Sequence, residues 1–148
     1  MPFNLLIFSA QELSVVFKLV GALVAGLLIG LEREHRGKSA EISTYSMVVG
    51  GSMIFTVLSM HIDPYSPARI AAQIVSGIGF LGAGMILVSK DERIRNLTTA
   101  AGLWFSAGIG MAIGFGWYLL AGIATLYCVL VPRIPHLQYT NNSNSKKK

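Results

Sequence analysis

The sequence predicts an all-α fold: a polytopic membrane helix bundle of five transmembrane helices, with the N-terminus outside and the C-terminus inside. Three observations lead there. Of 148 residues, 53% are hydrophobic and 13% charged, and the mean hydropathy is +0.58. A soluble domain carries about 25% charged residues, so this chain has too few charges to face water on all sides. Its apolar residues gather in runs near the ~20 residues that a helix needs to cross a hydrocarbon core ~30 Å thick. Its Lys and Arg fall almost wholly on one set of connections, as the positive-inside rule requires.

Residues 1–12 have no Lys or Arg. They lack the basic n-region of a cleaved signal peptide and read as an extracytoplasmic N-terminal segment. Span one runs from about Leu13 to Leu31, with Lys18 near enough to its outer end to snorkel. The stretch "IGLEREHRGK" follows. Glu32 and Arg36 are i,i+4 there, as are Glu34 and Lys38, in the favourable acid-first order. This is either a solvated helix end or a charged cytoplasmic mouth paired with another loop.

Span two runs from about Ser43 to Met60 and span three from about Ala68 to Val88. Ahead of span three, Ser66-Pro67 reads as an N-cap with proline at N1. Arg69 stands at this outer helix start. An anion or a partner carboxylate docks there on one reading, and a plain capped helix is the other. Gln73 lies one turn deeper and should pair with another helix in lipid.

After the basic loop "SKDERIRN" comes an apolar run of 35 residues, Leu97 to Val131. At ~1.5 Å per residue it is ~52 Å long, too long for one crossing. "GFGW" at Gly114–Trp117 divides it into spans four and five. Asn96 or Thr98 is the expected cap of span four, and Trp104 falls inside that span. Residues 132–148 form a basic cytoplasmic tail expected to be disordered. Five spans put ten of the twelve Lys and Arg inside, leaving Arg69 outside and Lys18 within span one. A four-span chain would put the basic tail outside.

Glycine is frequent in these spans although it weakens a helix in water by ~1 kcal/mol relative to alanine. In lipid, small residues let backbones approach closely. Ala22, Gly26 and Gly30 make such a stripe on span one. Ala72, Ser76, Gly79 and Ala83 make one on span three, and Gly102, Ser106, Gly110 and Gly114 one on span four. These stripes predict a tight bundle. Gly77, Gly82 and Gly84 lie off the span-three stripe and serve either a second contact or a local distortion.

The chemistry-bearing residues exclude several classes. No Walker, zinc or Ser/His/Asp pattern is present, and His35, His61 and His136 lack metal-ligand spacing. Neither a metal site nor a cofactor is expected. The single cysteine, Cys128, has no intrachain partner and reads as a small buried side chain. Every carboxylate, from Glu12 to Glu92, lies in a loop or at a helix end. A classical cation pathway usually shows ionisable groups at mid-membrane. The charge of +5 follows from topology and gives no reason to expect nucleic acid.

Three blocks resemble a known family: "GLLIGLERE" at Gly26–Glu34, "RIAAQIVSGIGFLGAG" at Arg69–Gly84 and "IRNLTTAAGLWFSAGIGMAIGFG" at Ile94–Gly116. The chain is similar to the N-terminal membrane domain of MgtC/SapB/YhiD proteins of prokaryotes, over about Leu13 to Val131. Residues 13–131 are thus expected to be the five-span membrane domain, in a member without the soluble C-terminal domain found in many others. Two departures stand out. Where the family has Ala-Gly-Leu-Arg-Thr, this chain reads "AEISTYS", with Glu41 for the glycine and Ser43 for the arginine. Where it has Val-Arg-Gly-Leu, this chain reads "IRNL", keeping Arg95 and placing Asn96 at the glycine.

The resemblance implies residence in the prokaryotic cytoplasmic membrane and a role in adaptation to low magnesium, acid stress or life inside a host. Glu32, Arg33, Glu34 and Arg95 are the expected functional charged cluster, with Asn96, Thr98 and Thr99 as polar residues of the matching motif. One reading is a regulator of another membrane complex, such as an ATPase or ATP synthase. The other is a magnesium transporter or channel. An enzyme is not expected. The expected partners are the lipid bilayer, such a membrane complex and a second copy of the chain.

Overall fold

The computed structural model describes residues 9–38, 40–62, 64–66, 68–88 and 94–134. The predicted segments 1–12 and 132–148, the Pro67 cap position and the basic residues Lys90 and Arg93 lie wholly or partly outside them. Five helices follow in chain order: α1 Ala10–His35, α2 Ile42–Ile62, α3 Ala68–Met85, α4 Leu97–Phe115 and α5 Tyr118–Leu130. The first four are long and apolar enough to cross a membrane. α5 has 13 residues, ~20 Å of helix, and is extended by a single 3₁₀ turn, Val131–Arg133.

The helix ends follow from local chemistry. Ser9 and Glu12 form a capping box at the start of α1: the Glu12 N–H donates to Ser9 Oγ at 3.2 Å, and the Ser9 N–H to Glu12 Oε2 at 2.7 Å. α4 stops at Gly116, whose φ of +83° suits glycine. There the Trp117 N–H reaches Ala112 O at 2.8 Å and the Gly116 N–H reaches Ile113 O at 3.0 Å. That is a Schellman termination, and it confirms the division at "GFGW". α3 ends earlier than expected, at Met85. Residues 87–88 instead form a short strand, β1 (Leu87–Val88), antiparallel to β2 (Ile94–Arg95).

α2 lies between α1 and α4, and glycines set both approaches. A methyl at Gly26 would lie 2.5 Å from Ser46 Cα, and one at Gly30 would overlap Ile42. On the other side, Gly110 faces Val49 and Ser52, and Gly114 faces Thr56. The stripes of spans one and four are therefore packing faces. The stripe of span three is not. Ala72, Ser76, Gly79 and Ala83 are exposed, and α3 buries Ala71, Ile74, Ile78 and Gly82 instead. Ile74 and Ile78 pack with Ala107 of α4, and Gly82 faces Ala100. The inward face is one residue, ~100° of helix, from the expected one. Two β-branched side chains, Ile74 and Ile78, hold this face against Ala107, flanked by the small residues Ala71 and Gly82.

The outer surface is apolar. Phe80 is 81% exposed and Leu119 79%, and such a belt is stable only against lipid. Three buried hydroxyls are satisfied within their own helices: Thr56 donates to Ser52 O at 2.8 Å, Ser106 to Gly102 O at 2.8 Å and Thr125 to Ala121 O at 2.7 Å.

Candidate functional site

The last turns of α1 build the site. The helix closes at Gly37, φ +60°, with the Gly37 N–H on Glu34 O at 2.9 Å and the Lys38 N–H on Arg33 O at 3.1 Å. Two consecutive charged residues just before this end are buried: Glu32 is 6% exposed and Arg33 2%. Neighbours in a helix point ~100° apart, so the two serve different contacts.

Arg33 turns towards α2 and α4. Its Nη2 donates to Thr99 Oγ1 at 3.0 Å, across 66 residues of chain. The Tyr45 hydroxyl lies beside the same guanidinium. Gly102 makes room for that hydroxyl, since a methyl there would lie 2.8 Å from Tyr45 Oη. Glu32 turns towards the end of α5. Its Oε1 receives Arg36 Nη1 at 3.4 Å and Arg133 Nε at 3.5 Å. Arg36 Nη1 also donates to the Pro132 carbonyl. These contacts at one end of the bundle involve three guanidiniums and one carboxylate, and they tie α1 to α2, α4 and the end of α5. Four buried polar atoms here have no hydrogen-bond partner among the described residues: Glu32 Oε2, Arg33 Nε, Tyr45 Oη and Ser46 Oγ. Unsatisfied buried groups cost ~1–3 kcal/mol each, which makes this end a natural seat for ordered water.

The expected cluster divides on inspection. Glu32, Arg33 and Thr99 meet at this end. Glu34, Arg95 and Thr98 are exposed, and Arg95 sits on β2, so the structure does not bring them into the buried contacts. Asn96 precedes α4 at φ +62°, ψ 13°, without a side-chain cap bond. It occupies the left-handed region that glycine or asparagine adopts most readily, which accounts for its place where the family has glycine. At the opposite end, Arg69 donates its backbone N–H to Ser66 O at 3.1 Å. Gln73 is exposed rather than paired with a helix, because the face of α3 that carries it looks outward. Lys18, half-buried, reaches the outer end of α4. Its Nζ donates to Gly114 O at 2.7 Å, a cation on the C-terminal carbonyls of α4.

Sequence reasoning missed Tyr45, and it counted Arg133 only as part of the basic tail. Tyr45 lies inside "AEISTYS", the segment that departs from the family pattern. Among the described residues, no group of three or more His, Cys, Asp or Glu converges as a metal site would need.

A family model described as the MgtC family matches residues 19–136. Protein MgtC of Salmonella typhimurium (strain 14028s / SGSC 2262) is 48% identical over 111 residues, covering 75% of this chain and 48% of that protein. A protein of Escherichia coli (strain K12) named as a candidate magnesium transporter, YhiD, is 41% identical over 130 residues, 82% of this chain and 60% of that one. A Haemophilus influenzae (strain ATCC 51907 / DSM 11121 / KW20 / Rd) protein of uncharacterized function is 38% identical over 141 residues, 88% and 59%. The chain therefore spans about half to three fifths of the length of these relatives. No solved structure matches it.

Proposed function

The chain belongs to the MgtC family, and from that premise we propose that it serves adaptation to magnesium limitation or stress in a prokaryotic cell membrane by modulating another membrane complex. The observation that carries this reading is the closed interior. α2 lies so near α1 and α4 that a methyl at Gly26, Gly30, Gly110 or Gly114 would collide with it, which leaves no room for a file of hydrated ions along that seam. The charges gather at one end. There the buried contacts of Glu32 and Arg33 hold a rigid base. Exposed Glu34 and Arg95 supply groups that a partner can read. An ATPase or ATP synthase is the class of partner proposed.

Magnesium transport is the second reading. The name of the Escherichia coli relative favours it. So does Glu32 Oε2, a buried carboxylate oxygen without a hydrogen-bond partner, since magnesium takes hard oxygen donors. Three guanidiniums at the same end oppose it electrostatically.

Magnesium uptake by the purified chain in liposomes separates the two. The expected result is no flux above empty liposomes. Saturable uptake by the purified chain would establish the transporter and sink the regulator. In cells, Arg95→Gln should impair growth at low magnesium while the protein accumulates normally. Glu32→Gln and Arg33→Gln should also lower its level, because both residues are buried in contacts that hold helices together.

A further inference from the structure

A groove of about 1050 Å³ opens between α1 and α5, away from the α1–α2–α4 seam. Its walls are aliphatic, with Val24 and Leu28 on α1 and Leu126 and Val129 on α5. One end carries Arg36 and Arg133; the other reaches Gly21. From residue 21 to residue 36 it follows α1 for ~22 Å at ~1.5 Å per residue. One leaflet of hydrocarbon is ~15 Å deep. The groove therefore spans a leaflet plus the level of its headgroups, with its basic end at the headgroup level.

The two guanidiniums share one carboxylate oxygen, Glu32 Oε1, at 3.4 and 3.5 Å. Two positive charges face one negative charge, so this end keeps one positive charge in excess. The side chains of Arg36 and Arg133 are 37% and 59% exposed. A guanidinium carries five N–H donors. The contacts of this pair with Glu32 and Pro132 engage Arg36 Nη1 and Arg133 Nε, leaving donors on both to meet a phosphate in the bidentate manner arginine favours.

We propose that the groove binds an anionic phospholipid, with its phosphate on Arg36 and Arg133 and one acyl chain along the α1–α5 wall. The charge excess selects an anionic headgroup over a neutral one, and the aliphatic length selects a lipid over a free anion. The proposal rests on the membrane reading and is independent of whether the chain regulates a partner or moves magnesium.

Native mass spectrometry of the chain, released from neutral detergent, tests it. Phosphatidylglycerol and phosphatidylcholine with identical acyl chains are offered in equal amounts. One excess basic charge near anionic lipid contributes about fivefold, so phosphatidylglycerol should be retained about fivefold over phosphatidylcholine. Arg36→Gln and Arg133→Gln should each reduce that preference by about fivefold. Arg133 is the more exposed of the two, so its variant remains informative if Arg36→Gln fails to fold. Leu28→Trp, which fills the groove, should lower retention of both lipids. Equal retention of the two lipids by the unaltered chain overturns the proposal, as does an unchanged preference in Arg133→Gln. Glycerol 3-phosphate binding as tightly as phosphatidylglycerol would reduce the site to one for a soluble anion. A bound mass equal to a second copy of the chain, in place of lipid, would reassign the groove.

Discussion

Alanine at Gly110 and alanine at Gly79 are the same chemical change on two neighbouring helices, and the structure assigns them opposite outcomes. A methyl at Gly110 would overlap the Val49 carbonyl oxygen and lie 2.8 Å from Ser52 Cβ and 3.1 Å from Met53 N. Ordinary carbon contacts sit at ~3.5–4.0 Å, so the shortfall at Ser52 alone is ~0.7 Å. Two of these three neighbours are backbone atoms, and no rotamer change relieves them. α2 must move away from α4, loosening the Gly102–Tyr45 and Gly114–Thr56 contacts on the same face. Overpacking of this kind costs ~1–3 kcal/mol. Alanine regains up to ~1 kcal/mol of helix propensity over glycine, leaving a net loss of about 1–2 kcal/mol. At Gly79 nothing lies within 4 Å, so the propensity term acts alone and stability should hold or rise by up to ~1 kcal/mol. Reversible unfolding in mixed micelles by titration with a denaturing detergent should separate the two variants by about 2 kcal/mol. Equal midpoints would refute the contact between α2 and α4 through this stripe.

Three further outcomes are expected. Asn96→Gly should hold or raise stability by up to ~1–2 kcal/mol, because it removes the Cβ that Asn96 holds in the left-handed region, whereas Asn96→Val, β-branched there, should destabilise; thermal unfolding of the two variants checks this. Thr99→Val removes the acceptor of Arg33 Nη2 and should cost ~1–3 kcal/mol in the same assay, while Thr98→Val, at an exposed position, should change little. Single cysteines at Ser9 and Lys38, in a background with Cys128 replaced, should react with an impermeant thiol reagent from opposite sides of the membrane, Lys38 from the cytoplasm. Labelling of both from one side would overturn the five-pass arrangement.

The division of the last apolar run shows how much was legible without coordinates. Its 35 residues exceed any single crossing, and the pair of glycines beside Trp117 marks a place where the backbone can turn sharply without a side-chain penalty. Asn96 was legible as the boundary of span four, but not its left-handed backbone, and the side-chain cap expected of it does not form. Length, turn chemistry and the distribution of basic residues act locally, so each can be read from a short window. They were enough for the helices, their order and the basic end of the bundle.

The inward face of α3 was not legible, for a reason particular to membranes. In water, the apolar side of a helix is the buried side. In lipid, both surroundings are apolar, and a stripe of small residues can look either way. Only the shape of α4 around Ala107 decided that Ile74 and Ile78 turn inward while Gly79 and Ala83 turn out. The site has the same character. Glu32 and Arg33 stood out as charges at a helix end, but nothing in their neighbourhood announces Thr99, 66 residues on, or Arg133 beyond α5. Those meetings exist because glycines draw α1, α2 and α4 together and the turn at Gly116 sends α5 back along α1. Which charge is buried, and against what, is a property of the assembled helices.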